Sequence, residues 1–149
     1  LSLHDALPIF PTLRSSLLDA MSELKAQRAI LRDRLIPSAD PAVASRAADV
    51  AISLFRVTTL NGSIDSFQGT TLTGWETRIS FAPKTGHHCA CPDWKNRQRA
   101  CKHVVALAER AIQHLVLKEH RGAQAIEAMD EKVRLLQNEA HESLRQLRC

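Results

Sequence analysis

The stretch His87-His88-Cys89-Ala90-Cys91-Pro92-Asp93-Trp94-Lys95-Asn96-Arg97-Gln98-Arg99-Ala100-Cys101-Lys102-His103-Val104-Val105-Ala106 decides how this chain is read. It holds three of the four cysteines and a histidine in two short pairs, Cys-x-Cys and Cys-x-His. In an extended strand, residues i and i+2 point to one side, so Cys89 and Cys91 can present both sulfurs together. Pro92 stops the strand and turns the chain. Residues 92–100 give ample length to fold back. Cys101 falls at a helix start with His103 in the first turn, where the positive helix end favours a thiolate.

Three sulfurs and one imidazole make a tetrahedral donor set that suits Zn²⁺. The candidate metal ligands are therefore Cys89, Cys91, Cys101 and His103. Buried cysteines beside a surface histidine are the bland alternative. Cys-x-Cys alone would leave it competitive, but the second pair makes it a poor account. Redox chemistry is disfavoured because no Cys-x-x-Cys is present. A Cys101–His103 catalytic dyad lacks a group to orient the base. Four protein ligands also leave no open position for water, so the zinc is expected to be structural. Residues 87–105 are then expected to lose their order without metal.

Upstream, the pattern is β-rich. Phe55 to Leu60 and Ser63 to Gln68 flank Asn61-Gly62, the dipeptide that favours a two-residue hairpin turn. Thr70 to Gly74 reads as a loop. Trp75 to Phe81 alternates, with Trp75, Thr77, Ile79 and Phe81 on one face. Pro83 to Gly86 reads as a turn and His87 to Cys91 as a partner strand. Before the strands, residues 12–35 read as a helix with a stripe of Leu17, Met21, Leu24, Leu31 and Leu35, interrupted by Arg28 and ended by Pro37. Asp40-Pro41 reads as the N-cap and first position of a second helix that runs to about Ser53. Downstream, a helix from Cys101 or Lys102 has Val104, Leu107, Ala108, Ala111, Ile112 and Leu115 on its apolar face and ends near Gly122. A last helix from Ala123 to Leu147 carries Ile126, Met129, Val133, Leu136 and Ala140 on a seven-residue repeat.

Composition bounds the rest. The chain has 149 residues, enough for one domain with a modest core. Aromatic residues make up 4% and there is no Tyr, which argues against a broad base-stacking platform. No apolar run reaches the ~18 residues of a membrane span. The net charge of +4 permits an anionic partner without requiring one. With no secretory signal, the cysteine cluster points to a reducing compartment, cytoplasmic or, in a eukaryote, nuclear. Leu1 to Ile9, LSLHDALPI, resembles a translated sequencing adapter and is set aside from fold reasoning. Native sequence is then expected to begin near Phe10, as in a fragment.

The ligand pattern resembles the SWIM-type zinc finger. Cys91-Pro92-Asp93-Trp94 is similar to that family's Cys-Pro-Asp-aromatic turn, and Cys101-Lys102-His103-Val104-Val105-Ala106 to its Cys-Lys-His followed by an aliphatic helix. The Trp75–Phe81 strand sits where the family has a strand feeding the first cysteines. The resemblance covers 87–108 well and 40–118 loosely. It implies a β-hairpin-plus-helix fold around zinc, binding to DNA or to other proteins, and no activity of its own.

The expected fold class is α+β: a small antiparallel β-hairpin plus helix zinc finger flanked by amphipathic helices. The expected divisions are 1–9, an adapter scar; 10–36, an N-terminal helix; 38–118, the finger domain with its metal core at 87–105; and 123–149, a C-terminal helix. The finger loop holds Lys95, Arg97, Arg99 and Lys102 against one acid, Asp93, with Asn96 and Gln98 between them. Arg and Lys supply phosphate contacts, so Trp94, Lys95, Arg97, Arg99 and Lys102 are the candidate nucleic-acid-binding residues. A solvated loop that offsets the anionic zinc–thiolate cluster is the bland alternative. Trp94 could be a lid on the metal site or a stacking platform. His87 and His88 read as strand residues, and Cys149 as a terminal residue that is not a ligand. Two functions stay open: nucleic-acid binding, of DNA in the first instance, through residues 94–102, or protein interaction and self-pairing through the flanking helices. No membrane partner, small-molecule substrate or enzyme activity is expected, because no Ser-His-Asp set, phosphate loop or metalloprotease motif is present.

Overall fold

A computed structural model describes residues 9–148. Most of the adapter-like segment and Cys149 lie outside the described residues. The chain divides into two compact units. Glu23–Val116 form the unit that contains the ligand residues. The other consists of 9–22 with 117–148 among the described residues. The architecture is α+β, a four-stranded antiparallel sheet with helices.

The sheet is a meander in the order β1 (Ile52–Leu60), β2 (Ser63–Thr71), β3 (Glu76–Ser80) and β4 (Gly86–Cys89). The Asn61-Gly62 turn forms as the sequence predicts. Both residues have positive φ, 53° and 82°, the two left-handed positions a tight hairpin turn of this type requires. The predicted hairpin and the later strand pair join into one sheet, because β2 also pairs with β3, with Phe67 opposite Ile79. The alternation on β3 holds: Thr77 and Ile79 are buried, and Glu76 and Arg78 are exposed. β1 starts earlier and β2 ends later than the sequence reading placed them, β3 is one residue shorter at each end, and β4 runs from Gly86 to Cys89 and not from His87 to Cys91. β1 begins at Ile52, and the loop expected at 70–74 is confined to 72–75. Thr71 stays in the ladder and ties the loop down: its hydroxyl accepts from the Trp75 amide at 3.0 Å.

The helices depart more. α1 (Ile9–Ile30) continues as a π-helical segment Leu31–Leu35 and a final α turn, Ile36–Ser38. Pro37 therefore does not end the helix; it sits inside the last turn. Proline has no N–H and its ring crowds the preceding carbonyls. The wide turn just before it, closed by Ile36 N–H to Leu31 O, accommodates that ring. The second helix, α2 (Pro41–Arg46), is capped as expected, the Asp40 side chain accepting from Ala42 N at 2.9 Å. It stops at a 3₁₀ turn, Ala47–Asp49, and does not reach Ser53. The β-branched residues that follow favour the strand.

The largest correction lies downstream. One helix spans Lys102–Arg148, so the break expected near Gly122 is absent. A single glycine costs a helix interior only about 1 kcal/mol against alanine, and no proline follows it. Gly122 serves packing within the smaller unit: a Cβ built there would lie 3.0 Å from Met21 Cγ. The same unit is tied by Arg14 Nε to Asp130 Oδ1 at 2.9 Å. No helix among the described residues is long and apolar enough to cross a membrane.

The core of the larger unit joins three sources. Leu31, Leu35, Ala39 and Ala47 come from the first helices, Phe67 and Ile79 from the sheet, and Val104 to Ala108, Ala111 and Leu115 from the long helix. Phe67 stacks on Phe55 at 5.8 Å and meets Phe81 edge-on at 5.9 Å. The first turns of the long helix are buried almost all round, Val105 and Ala106 included. The cysteines belong to this same core, so the ligand cluster is part of the central packing.

Candidate metal centre

Each ligand is positioned by a different local rule. Cys89 is the last residue of β4, opposite Thr77 on β3. Cys91 is not in the strand, as the sequence reading had it. It caps a short helix, here α3 (Pro92–Arg97), and its Sγ accepts the Trp94 amide N–H at 3.4 Å. The residues after Cys91 were read as a loop, but the signals for a helix are present: a capping side chain, proline at the first position and Asp93 in the first turn. α3 ends at Gln98, whose φ of 52° turns the chain in the left-handed sense. Cys101 immediately precedes the long helix, α4 (Lys102–Arg148), and His103 lies in its first turn.

These elements bring the predicted ligands together. The donor atoms of Cys89, Cys91, Cys101 and His103 all lie within 4.8 Å of one another. Nδ1 of His103 is 3.6 Å from Cys89 Sγ and 3.9 Å from Cys101 Sγ. Zinc bonds of ~2.3 Å to sulfur and ~2.0 Å to nitrogen give tetrahedral S···N edges of about 3.5 Å. The cluster has the size and donor chemistry of a zinc site. Nδ1 is the nitrogen that faces the sulfurs, a choice the sequence could not make. All four residues are buried, with exposures of 0%, 2%, 0% and 6% in chain order.

Electrostatics in the cluster follow from its crowding. Cys101 is pulled down to about 5, first by a hydrogen bond from Cys89 and then by the Val104 and His103 amides at the start of α4. Cys89 is pushed up, first because its proton is shared with Cys101 and then by burial. Burial also raises Cys91.

The neighbouring residues fall into two groups. Trp94 is half-buried against the core. Its indole Nε1–H donates to His87 Nδ1 at 3.1 Å, and its ring lies 4.5 Å from that of His88. His87 is held below the usual histidine range, mainly by burial, in keeping with a neutral acceptor. The two histidines are strand residues, as expected; their role in seating Trp94 was missed. By contrast, Lys95, Arg97 and Arg99 are exposed and Lys102 is partly so. Arg97 Nε approaches Asp93 Oδ1 at 3.2 Å, an exposed pair of little energetic weight.

Cys89 at a strand end, Cys91 capping a short helix and a cysteine–histidine pair at the start of the long helix, converging in one buried cluster, define a zinc-finger type of site. The family model that matches is the SWIM zinc finger, over residues 83–112. That segment contains all four clustered residues, β4, α3 and the first turns of α4. No curated protein and no solved structure matches the chain.

Proposed function

We propose that this chain is a non-catalytic zinc module that binds DNA through the basic segment Trp94–Lys102. Zinc held by Cys89, Cys91, Cys101 and His103 would act as a tetrahedral cross-link between the sheet edge, α3 and α4. Four protein donors complete that shell and leave no position for a reacting water. The observation that carries the reading is the placement of the basic residues. Lys95, Arg97 and Arg99 project to solvent from a short segment that two ligand residues, Cys91 and Cys101, fix at both ends. Such side chains can contact phosphates at small ordering cost, because the backbone beneath them is already set. An intracellular, reducing location goes with this reading.

The test is the salt dependence of binding by the zinc-loaded chain. Affinity for a labelled duplex should fall steeply with salt, and Arg97→Ala with Arg99→Ala should reduce the slope of log K against log salt by about 1.8. Absence of binding at about 50 mM salt would overturn the reading.

A second reading, a protein-interaction adaptor, is favoured by the exposed leucines of the other unit. Leu13, Leu18, Leu117, Leu135, Leu144 and Leu147 are all exposed. Leu136, on the predicted repeat, is half-buried, so Leu135→Asp with Leu144→Asp tests a pairing face more cleanly. A concentration-dependent dimer that those substitutions abolish would support self-pairing. A monomer at all concentrations would count against it.

A further inference from the structure

The strand register aligns four residues in one row across the whole sheet. Arg56 on β1 pairs with Gln68 on β2, Gln68 with Arg78 on β3, and Arg78 with His88 on β4. Opposite residues in a ladder share a face, so all four belong to the surface turned away from Phe67 and Ile79. The row is three strand spacings long, about 14 Å. It crosses a shallow depression of about 370 Å³ whose rim and floor include Leu54, Thr70 and Thr77. At its β4 end the row meets the finger, since the His88 ring contacts Trp94.

We infer that this open sheet face is a second phosphate-contacting surface, on which Arg56, Gln68 and Arg78 hold the backbone of the DNA duplex engaged by the finger. The inference rests on the DNA-binding reading and extends it to residues outside the zinc finger. Charge supports it. Two arginines face solvent, and among the described residues neither has a hydrogen-bond or ion-pair partner. Among the described residues, Glu76 is the only acid lining the depression. An acid at the cross-strand position between two arginines would stabilise the ladder through opposite charges. Here Gln68 stands between them, a neutral amide that can donate to a phosphate oxygen. The choice of duplex over single strand follows from what the face lacks. Single strands are held largely by base stacking on aromatics, and none of the residues lining this depression is Phe, Tyr or Trp.

The experiment compares three variants of the full zinc-loaded chain: Arg56→Gln with Arg78→Gln, Arg97→Ala with Arg99→Ala, and all four together. Each is titrated with a labelled duplex of about 20 base pairs between about 50 and 200 mM salt. Removing two phosphate contacts should lower the salt slope by about 1.8, which makes binding roughly tenfold less salt-sensitive over that range. The sheet pair and the loop pair should each show this loss, and the four-fold variant about twice it. Arg56→Lys with Arg78→Lys should restore the slope, which separates charge from folding. If only the loop pair matters, the sheet inference fails and the finger reading stands. If only the sheet pair matters, the inference stands and the loop assignment fails. Tighter binding of a single strand than of the duplex would overturn the choice of duplex. If no nucleic acid binds, both fall.

Discussion

The indole N–H of Trp94 donates to Nδ1 of His87 at 3.1 Å, joining α3 to β4 across the ligand cluster. The bond fixes the His87 tautomer: Nδ1 accepts, so the ring proton is on Nε2. The Trp94 ring is packed on the core and on His88, and its one donor is satisfied within the fold. Trp94→Phe keeps most of the packing and loses the hydrogen bond, so it should cost about 1 kcal/mol. Trp94→Ala loses both and should cost about 3 kcal/mol. Urea unfolding of the zinc-loaded chain, followed by circular dichroism, measures the two; a Trp94→Phe variant as stable as the parent would show that the bond contributes nothing.

Removal of the metal should act locally before it acts globally. With chelator, amide signals of residues 87–105 are expected to broaden or move towards random-coil positions. Phe67, Ile79 and Leu107 share the core with the cysteines but are not ligands themselves, and their signals should persist longer. Cys101→Ser should reduce bound zinc from about one per chain to none and lower the melting temperature, because zinc binding contributes to folding free energy. A metal-stripped chain with an unchanged spectrum would rule this out.

Gly69 lies where the sheet packs closely on α4. A Cβ built there would lie 3.0 Å from both Ile52 Cγ2 and Leu107 Cδ1. Leu107 is fully buried, and Ile52 packs against the same core. Gly69→Ala should therefore destabilise by about 1–3 kcal/mol, the usual cost of overpacking. Gly122→Ala makes the contrasting case, since the unbranched Met21 side chain it would crowd can shift. There the gain in helix propensity, about 1 kcal/mol, should win. Thermal melts of the two variants should move in opposite directions.

Gln27 is a buried polar residue on α1, next to the Arg28 that interrupts its apolar stripe. Its Nε2 donates to the Ile64 carbonyl at 2.9 Å, pinning α1 to the start of β2. Gln27→Met preserves the length and removes the donor, leaving that carbonyl without this bond. A loss of about 1–3 kcal/mol is expected by chemical denaturation. A variant as stable as the parent would show that the contact is dispensable.

Much of this molecule was legible in the chain because the signals are local. The two ligand pairs, Asn61-Gly62, the Asp40 cap and the alternation from Trp75 to Phe81 each depend on a few consecutive residues and their stereochemistry. Those same residues determine the α+β class, the ligand set and the basic segment between the ligands. Element ends were less legible, because they are settled by competition between neighbours. Pro37 is tolerated once a wide turn precedes it, and Gly122 is tolerated where Met21 packs over it.

The sequence by itself thus determined which residues could bind a metal and which segment is basic. Only the tertiary structure decided that His103 turns Nδ1 to the sulfurs, that Trp94 is seated by His87, and that Arg56, Gln68, Arg78 and His88 form one row. The physical reason is distance along the chain. A ligand pair or a turn is specified by bond geometry within a few residues. A cross-strand row joins positions 10 to 32 residues apart, and their alignment exists only once the ladder register is set by the packing of Phe67 and Ile79 beneath it.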